Sequence, residues 1–173
     1  MEVETERLRL RPLRMSDADG LLRLQQEPEM MRYFGDGHVY GADESQFWLE
    51  WHVAMWNLEG YGFWAVEQTA HEGFAGWLGV TKVWEPPDLM PVSEVGWFLD
   101  PSCWGQGLAT EGAREALRFA FGPLGLPRVI ARYNADNRAS GRVMEKIGMR
   151  LWQERPHPDR SDQTVRIYEK YAD

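Results

Sequence analysis

The chain opens with an alternation of apolar and basic residues and then changes to helical spacing. Leu8 and Leu10 alternate with arginines over residues 7–12, a period of two that predicts a half-buried strand. The apolar residues that follow recur every three to four positions, which predicts a helix capped by Ser16 and interrupted by Pro28. The N-terminal segment therefore combines one strand with the start of a helical region.

An aromatic-rich segment predicts a second helix ahead of a set of strands. Asp43 can cap this helix and Gly60 can end it, and its apolar positions are Phe47, Trp48, Trp51, Met55 and Trp56. Three apolar runs then follow, near residues 61–68, 74–84 and 92–99. The segments that separate them favour turns, so we predict three consecutive antiparallel strands. These segments are His71-Glu72-Gly73 and Glu85-Pro86-Pro87-Asp88.

The second half of the chain alternates helices and strands. The remaining predicted elements are, in order, a helix over about 106–121, a strand over 128–134, a helix over 137–147, and strands over 149–154 and 164–171. The first of these helices has a face of small apolar residues suited to close packing. No internal repeat or linker-like stretch interrupts the order, so we predict an α/β (or α+β) fold in one domain spanning residues 1–173.

Composition narrows the function classes. The chain has 173 residues and a net charge of −8, which argues against a nucleic-acid surface, because such a surface needs clustered Lys and Arg. The single cysteine, Cys103, excludes an intrachain disulfide, and the four histidines lack metal-ligand spacing, so we expect no metal. The acidic N-terminus does not resemble a signal peptide, and no apolar run reaches the roughly 18 residues of a membrane span. We therefore expect a cytoplasmic protein that binds neither nucleic acid nor membrane.

A glycine-containing turn between a strand and a helix carries the clearest chemistry. The strand near 92–99 ends at Asp100-Pro101, and Trp104-Gly105-Gln106-Gly107-Leu108-Ala109-Thr110 leads into the helix. Glycines at a helix start let an anion approach main-chain N–H groups that lack intrahelical partners and carry the positive end of the helix dipole. A simple tight turn is the alternative. The spacing fits neither a P-loop, which needs a lysine, nor a G-x-G-x-x-G fingerprint, whose third glycine is replaced by Thr110.

Three motifs together resemble the GNAT superfamily of N-acetyltransferases, and within it the branch that includes the RimJ/RimL-type ribosomal-protein N-terminal acetyltransferases. They are Trp104-Gly105-Gln106-Gly107-Leu108-Ala109-Thr110-Glu111, Asn134-Ala135-Asp136-Asn137-Arg138-Ala139-Ser140 and Val143-Met144-Glu145-Lys146-Ile147-Gly148-Met149. The resemblance covers nearly the whole chain. It implies a single GNAT-type domain with a mixed, mainly antiparallel sheet of about seven strands flanked by helices, and a splay between the fourth and fifth predicted strands.

The resemblance also implies that acetyl-CoA is the co-substrate and that the coenzyme binds without a metal. Trp104 stands where the family's loop motif usually has Gln or Arg, but the loop acts through main-chain N–H groups. The strand that ends at Leu99 is expected to offer main-chain groups to the pantetheine arm, which lies beside it like an added strand. Asn137 is expected to hydrogen-bond the coenzyme, and a helix N-cap is its alternative role. The expected binding residues are Phe98, Leu99, Trp104, Gly105, Gln106, Gly107, Leu108, Ala109, Thr110 and Asn137.

Acetyl transfer to an amine requires removal of an amine proton and stabilisation of the oxyanion. Glu94 is the candidate base, acting directly or through a water. The resemblance points to it, and it lies at the entry to the strand that would flank the thioester. A place beside Trp77 and Trp97 would partly desolvate this carboxylate and help it to accept a proton. The alternative is a solvated glutamate at the end of a strand. A main-chain N–H at a bulged end of the same strand is the expected oxyanion donor.

The leaving thiolate must also be protonated or stabilised. Many family members use a tyrosine for this step, and in this chain Met144 occupies its place. The resemblance suggests Ser140 as the substitute, through hydrogen bonding to the thiolate. Tyr133 is a second candidate, and a core position is its alternative role.

The acceptor end of the site is less well specified. In the superfamily the aromatic-rich second helix helps to wall the acceptor site, so Trp48, Trp51 and Trp56 could bind an apolar or cationic acceptor. Glu44 and Glu50 would place negative charge nearby. The resulting prediction is an N-acetyltransferase that acts on a primary amine, a peptide N-terminus or a small molecule, by direct transfer in a ternary complex. The alternative is an acyl-CoA-binding sensor or partner module with impaired chemistry. A homodimer is also expected from the resemblance.

Overall fold

The computed structural model describes residues 1–82 and 92–172, and it contains one eight-stranded sheet flanked by helices. The strands are β1 (Val3–Glu4), β2 (Leu8–Pro12), β3 (Phe63–Gln68), β4 (His71–Lys82), β5 (Ser93–Leu99), β6 (Arg128–Asn134), β7 (Arg150–Pro156) and β8 (Thr164–Tyr171). The helices are α1 (Ala18–Gln25), α2 (Pro28–Met31), α3 (Ala42–Glu59), α4 (Leu108–Phe121) and α5 (Arg138–Lys146). Single 3₁₀ turns, Met15–Asp17 and Pro101–Cys103, precede α1 and α4.

The strand order is β1-β2-β3-β4-β5-β6-β8-β7, and all neighbours are antiparallel except β5 and β6. The predicted mixed, mainly antiparallel sheet is therefore confirmed, and the seven predicted strands correspond to β2–β8. The eighth strand, β1, has two residues and is too short to show a period in the sequence. Two parts of the prediction lie outside the described residues. They are the end of the third predicted strand, at residues 83 and 84, and the turn at Glu85-Pro86-Pro87-Asp88.

The predicted splay lies between β5 and β6. Their parallel pairing consists of two residue pairs, Ser93 with Val129 and Glu94 with Ile130. Beyond these pairs β5 continues beside β4 to Leu99, and β6 continues beside β8 to Asn134. The two strands therefore diverge and leave unpaired edges that face each other across a gap.

Apolar side chains pack on both faces of the sheet because the strands alternate their residues between two helix layers. On one face, α4 and α5 cover a core that includes Leu8, Trp64 and Leu78. On the other face, α1, α2 and α3 cover a core that includes Leu49, Phe63 and Trp77. The gap between β5 and β6 connects the two faces.

Two predicted helix caps are wrong, because a neighbouring carboxylate takes each role. The Asp17 carboxylate, not Ser16, accepts the Arg14 N–H at 2.8 Å and is held by a buried ion pair with Arg11 at 2.7 Å. At α3 the Glu44 carboxylate accepts the Gly41 N–H at 2.9 Å, so the helix begins one residue before Asp43. Local sequence offers several acceptors at each helix start, and tertiary contacts select one of them.

Two predicted boundaries also differ from the structure. The His71-Glu72-Gly73 segment belongs to β4, and the chain reverses at residues 69–70 instead, with a register irregularity opposite Glu67. The helix predicted from residue 106 begins at Leu108, because Gly107 has a left-handed φ of 80° that a helix cannot include. Among the described residues, no helix is long and apolar enough to cross a membrane. The described part of the chain also contains no cluster of three His, Cys, Asp or Glu side chains with a metal-binding arrangement.

Candidate functional site

One cleft of about 1550 Å³ passes through the gap between β5 and β6. At one end it reaches the glycine turn before α4, and at the other end it reaches aromatic side chains of α3 and the loop after α2. Single small-molecule pockets are usually about 300–1,000 Å³, so this cleft has room for two substrates in line. Most of the residues predicted for the site line it, namely Glu94, Phe98, Leu99, Trp104, Gly105, Gly107, Leu108, Ala109, Thr110, Asn137 and Ser140.

The glycine turn is open where an anion would approach. Gly105 and Gly107 have φ values of 73° and 80°, and a Cβ on Gly105 would meet nothing within 4 Å. No side chain caps α4, so the main-chain N–H groups of Leu108, Ala109 and Thr110 have no intrahelical acceptor, and the first helical bond is donated by Glu111 to the Gly107 carbonyl. Gln106 turns its side chain away and donates to the Ser102 carbonyl at 2.7 Å. The turn therefore presents bare N–H groups and the positive end of a 14-residue helix to the cleft.

Trp104 links the glycine turn to the end of β5. Its indole Nε1–H donates to the Leu99 carbonyl at 2.7 Å, which gives a physical role to a tryptophan at the position where the family motif has Gln or Arg. Next to it, burial raises the pKa of the Cys103 thiol, which also accepts a hydrogen bond from Gln68 at 3.2 Å. A buried, protonated thiol is a packing group and not an activated nucleophile.

An arginine near the N-terminus fixes the other side of the turn, and no local pattern around this arginine predicts the contact. The Arg7 guanidinium donates to the Gln106 carbonyl at 2.9 Å and to the Glu111 carboxylate at 2.7 Å. Thr5 also donates to that carboxylate, at 2.6 Å. Desolvation raises the pKa of Glu111, but the hydrogen bonds from Thr5 and Arg7 outweigh it and the net pKa is lowered. The turn is thus held between β5 and the segment that leads into β2.

We expect Arg7→Ala to raise the dissociation constant of acetyl-CoA about tenfold, because the turn loses a charge-assisted hydrogen bond that holds its shape. Isothermal titration calorimetry on the folded variant measures this. Arg9→Ala is the matched control, since Arg9 pairs with Glu2 at 3.0 Å and leaves the turn untouched. Equal affinities for both variants would show that the turn keeps its shape without Arg7.

Main-chain groups of β5 face the gap at alternate residues. Asp100 N–H donates to the Ala75 carbonyl at 2.9 Å, and residues of an antiparallel strand direct their main-chain groups alternately to the two sides. The main chain of Phe98 therefore faces β4, while that of Trp97 and Leu99 faces the gap. The register with β4 is unbroken from Ser93 to Leu99, so the expected bulge is absent from this strand. Main-chain hydrogen bonding of Leu99 to the coenzyme remains a prediction. For the second residue of this contact, the geometry favours Trp97 over the predicted Phe98.

The N-terminal turn of α5 forms the opposite wall of the gap. The Asn137 side chain accepts the Ser140 N–H at 3.2 Å. Asn137 is therefore the N-cap of α5, which is the alternative to coenzyme binding that the sequence left open. Ser140 and the buried Met144 line the cleft. The Tyr133 hydroxyl lies against this turn, because a Cβ on Gly141 would be 2.7 Å from its oxygen. Two hydroxyl groups, not one, are therefore close to the start of α5.

Glu94 lies at the point where β5 and β6 separate, and it is not a solitary carboxylate. Its two oxygens accept bonds from the Arg132 guanidinium of β6 at 2.9 and 2.6 Å. Burial pulls the pKa of Arg132 down, but the charge of Glu94 and its hydrogen bond outweigh burial and raise it. Trp97 is on the opposite face of β5, since it lies three residues from Glu94 on a strand of period two. The predicted environment of Glu94 is corrected accordingly: an arginine lies beside it and Trp97 does not.

The far end of the cleft is aromatic. The rings of Trp48 and Phe63 are nearly parallel at 17°, with centroids 6.0 Å apart, and Phe34 meets Phe98 edge-on with centroids 4.9 Å apart. Trp77 stacks behind Phe98 at 5.2 Å. We call the cleft-lining rings Phe34, Trp48, Phe63 and Phe98, together with His52, the aromatic box.

The other predicted acceptor residues lie outside the aromatic box. Trp51 is exposed, and the Trp56 indole donates to the Phe63 carbonyl at 2.6 Å on the other core. Glu44 pairs with His38 at 2.9 Å, and Glu50 accepts from Gln46 at 2.7 Å. Of the three tryptophans predicted to wall the acceptor site, Trp48 alone lines the cleft, and its contact with an acceptor stays a prediction. The two glutamates do not line the cleft: Glu44 lies one turn before Trp48, where His38 holds it, and Glu50 lies on another face of α3.

His52 is the one imidazole within the aromatic box. Its ring centroid lies 3.9 Å from that of Trp48 and 5.1 Å from that of Phe63, and burial lowers its pKa to about 4. Its Nδ1 is enclosed and has no hydrogen-bond partner among the described residues. The imidazole is therefore neutral at physiological pH.

This burial predicts a loss of stability in mild acid. The folded state keeps His52 neutral until about pH 4, whereas the unfolded chain protonates it near its ordinary pKa of 6.5. Protons therefore favour the unfolded state as the pH falls from 6.5 to 4, at a cost of about 3 kcal/mol by 1.36 kcal/mol per pKa unit. We expect His52→Gln to lose correspondingly less stability over this range in urea unfolding. His71→Gln, at an exposed histidine, should follow the unsubstituted chain, and parallel curves for all three proteins would contradict the prediction.

Known proteins share this architecture and these motifs. The family model described as an acetyltransferase (GNAT) domain matches residues 7–150. FsC-acetyl coenzyme A-N(2)-transacetylase of Aspergillus fumigatus is 34% identical over 85% of this chain, which spans 64% of the length of that relative. A solved acetyltransferase from Agrobacterium tumefaciens is 29% identical with a TM-score of 0.79, over 99% of this chain and 94% of the other.

A further solved structure shares the fold and holds coenzyme A. RimL, a ribosomal L7/L12 alpha-N-protein acetyltransferase in complex with coenzyme A, has a TM-score of 0.82 over 100% of this chain and 99% of the other, at 17% identity. At that identity the likeness concerns the fold. The family model, by contrast, spans β2 to the start of β7 and includes the glycine turn and the splayed strands. The chain therefore belongs to the GNAT family of acetyltransferases, which use acetyl-CoA.

Proposed function

We propose that this chain transfers the acetyl group of acetyl-CoA directly to a primary amine within a ternary complex. The observation that carries the proposal is the continuous cleft, which joins an anion-binding glycine turn at one end to an apolar box at the other. Between the two ends lies the gap where β5 and β6 separate. Two substrates that enter from opposite ends would meet in this gap, so that no covalent enzyme intermediate is required.

The residues of the α4 end suit the coenzyme. The open turn at Gly105 and Gly107 and the N–H groups from Leu108 onward would bind the pyrophosphate. Arg138 and Arg142 of α5 also line the cleft and would place positive charge near the phosphates. The pantetheine arm would lie in the gap and pair with the Trp97 carbonyl and the Leu99 N–H as an added strand does.

The reaction itself needs one bond formed and one broken. The amine nitrogen attacks the thioester carbon, and the carbonyl oxygen becomes an oxyanion that the Trp97 N–H can stabilise at the edge of the gap. The nitrogen then carries a proton that is far more acidic than in the free ammonium ion, so the Glu94 carboxylate can take it directly or through a water. The C–S bond breaks, and Ser140 or Tyr133 stabilises the thiolate, which leaves as coenzyme A. The product is the N-acetylated amine.

Two observations favour the second candidate function, an acyl-CoA-binding module with impaired chemistry. Met144 occupies the position at which many family members have a tyrosine acid, and Arg132 engages both oxygens of Glu94. Two hydroxyl groups near α5 and a second-substrate space in the cleft favour the enzyme.

Release of free thiol from acetyl-CoA separates the two functions. The assay would use peptides with a free N-terminus, because RimL is an alpha-N-protein acetyltransferase, and small-molecule amines as the other kind of primary amine. Amine-dependent thiol release with formation of the acetylated amine by mass spectrometry supports the enzyme. Tight calorimetric binding of acetyl-CoA without turnover on any amine would favour the module.

A further inference from the structure

We propose that the aromatic box takes an acceptor whose amine is carried on an aromatic ring through a short alkyl linker. The proposal rests on the function proposed above, because it names the class of amine that would occupy the acceptor end of the cleft. Its direct support is the chemistry of the box: Phe34, Trp48, Phe63 and Phe98 present ring faces and edges, and its polar groups are the His52 imidazole and the Trp48 indole N–H.

The box offers little to a polar acceptor. A peptide N-terminus brings main-chain N–H and C=O groups, and a sugar amine brings hydroxyl groups, all of which lose water on entry. Each such group left without a partner costs about 1–3 kcal/mol; the three phenyl rings supply no partner, and the Trp48 indole N–H can donate to one group only. Glu44 and Glu50, which could have bound an additional cation, do not line the cleft. An uncharged, flat substituent avoids these costs.

The ring arrangement favours an aromatic over an aliphatic substituent. Phe34 and Phe98 meet edge to face at 86°, and Trp48 and Trp77 are tilted at 57° with centroids 5.2 Å apart, so both ring edges and ring faces border this region. An added ring can continue this pattern, and aromatic pairs are worth about 0.5–1.5 kcal/mol beyond the area that they bury. That range corresponds to roughly a two- to twelvefold preference over a saturated ring of the same size.

Gly96 keeps the box open towards the reacting centre. A Cβ at this position would lie 3.3 Å from Phe63 and 3.4 Å from Phe98, so glycine leaves room between the two rings. Gly96 also lies on β5 between Glu94 and Phe98, on the face that carries the box. An amine on a linker of about two carbons could therefore extend from a ring in the box towards Glu94.

His52 adds a preference for an oxygen on the ring. Its enclosed Nδ1 has no partner, and an orphaned acceptor is less costly than an orphaned N–H, so the proton belongs on Nε2. The other ring nitrogen, Nε2, is not an enclosed atom without a partner as Nδ1 is, and His52 lines the cleft. A ring hydroxyl in reach could accept a hydrogen bond from Nε2–H.

The experiment compares matched amines on the full chain with acetyl-CoA. The probes are 2-phenylethylamine, its saturated counterpart 2-cyclohexylethylamine, tyramine, and a tetrapeptide with a free alanine N-terminus. We expect kcat/KM for 2-phenylethylamine to exceed that for 2-cyclohexylethylamine about fivefold, with tyramine higher still and the peptide lowest. Equal values for the two ring amines, or a preference for the peptide, would overturn the inference.

Variants assign the preference to the box. Trp48→Leu should remove most of the ratio between 2-phenylethylamine and 2-cyclohexylethylamine, and Trp51→Leu, at the exposed tryptophan of the same helix, should retain it. His52→Phe should remove the advantage of tyramine over 2-phenylethylamine without lowering the latter. These ratios do not depend on the fraction of folded protein. A ratio that survives in Trp48→Leu would place the aromatic acceptor elsewhere.

Failure of this inference can be distinguished from failure of the proposed function. Turnover of peptide or alkyl amines without an aromatic preference would overturn the inference and leave the acetyltransferase intact. If no amine is acetylated, the function fails, and calorimetric binding of 2-phenylethylamine to the protein saturated with coenzyme A still tests the box. Binding that Trp48→Leu weakens would support the site, and no binding would overturn it.

Discussion

Gly107→Asp is expected to weaken acetyl-CoA binding about 100-fold or more. The residue has a left-handed φ of 80° and immediately precedes the first turn of α4. A carboxylate at this position would lie against the N–H groups proposed to bind the pyrophosphate, and two like charges about 4 Å apart repel by roughly 4 kcal/mol near a protein surface. Calorimetry with acetyl-CoA, on a variant shown to be folded by circular dichroism, measures the change.

Gly107→Asn separates charge from shape. Asparagine has almost the same size as aspartate and tolerates the same left-handed conformation, so both variants carry similar backbone strain. We expect Gly107→Asn to lose much less affinity than Gly107→Asp. Gly125→Asp, at a left-handed glycine with open space around it and away from the cleft, should bind normally. Unchanged affinity of folded Gly107→Asp would show that the coenzyme does not use this turn.

Glu94→Gln is expected to lower kcat about 100- to 1000-fold while leaving acetyl-CoA affinity within about twofold, because general-base contributions are of about this size. Glutamine keeps the length of the side chain and can still accept a hydrogen bond from Arg132, but it cannot take a proton from the amine. Steady-state thiol release with the best acceptor, together with calorimetry of the coenzyme, measures both effects.

The control for this substitution is another carboxylate held by an arginine. Glu115 accepts from the Arg118 guanidinium through both oxygens, at 2.8 and 2.5 Å, and neither residue lines the cleft, so Glu115→Gln removes a similar ion pair away from the gap and should leave kcat unchanged. If Glu94→Gln kept full kcat, the amine would have to lose its proton to solvent. Glu94 would then serve only to hold β5 to β6 through Arg132.

Local rules worked where a few neighbouring residues determine the outcome. Alternation over residues 7–12 predicted β2, and the glycines after Asp100-Pro101 predicted an open helix start, because both signals lie within a single turn or strand. The same rules failed at Ser16 and Asp43, where the carboxylate of the next residue competes with the predicted cap. Arg11 decides this competition at Asp17 by an ion pair across six residues.

The catalytic part of the site was less predictable for a related reason. Periodicity places Glu94 on one face of β5 but does not say which residue of β6 lies opposite, and Arg132 is 38 positions away. The role of Arg7 depends on a contact across 99 residues, to the carbonyl of Gln106. Neither arginine has a neighbouring motif that could have indicated its partner.

The sequence by itself determined the family, the order of the elements, the glycine turn and the residue types available for chemistry, since these depend on local pattern and recognisable motifs. The tertiary structure decided which of those residues meet. It paired Glu94 with Arg132, tied the turn to Arg7, selected Trp48 over Trp51 and Trp56 for the cleft, and buried His52 among rings. The physical reason is that a side chain's partners are set by the register and splay of strands distant in sequence, and these arise only when the whole sheet packs between its two helix layers.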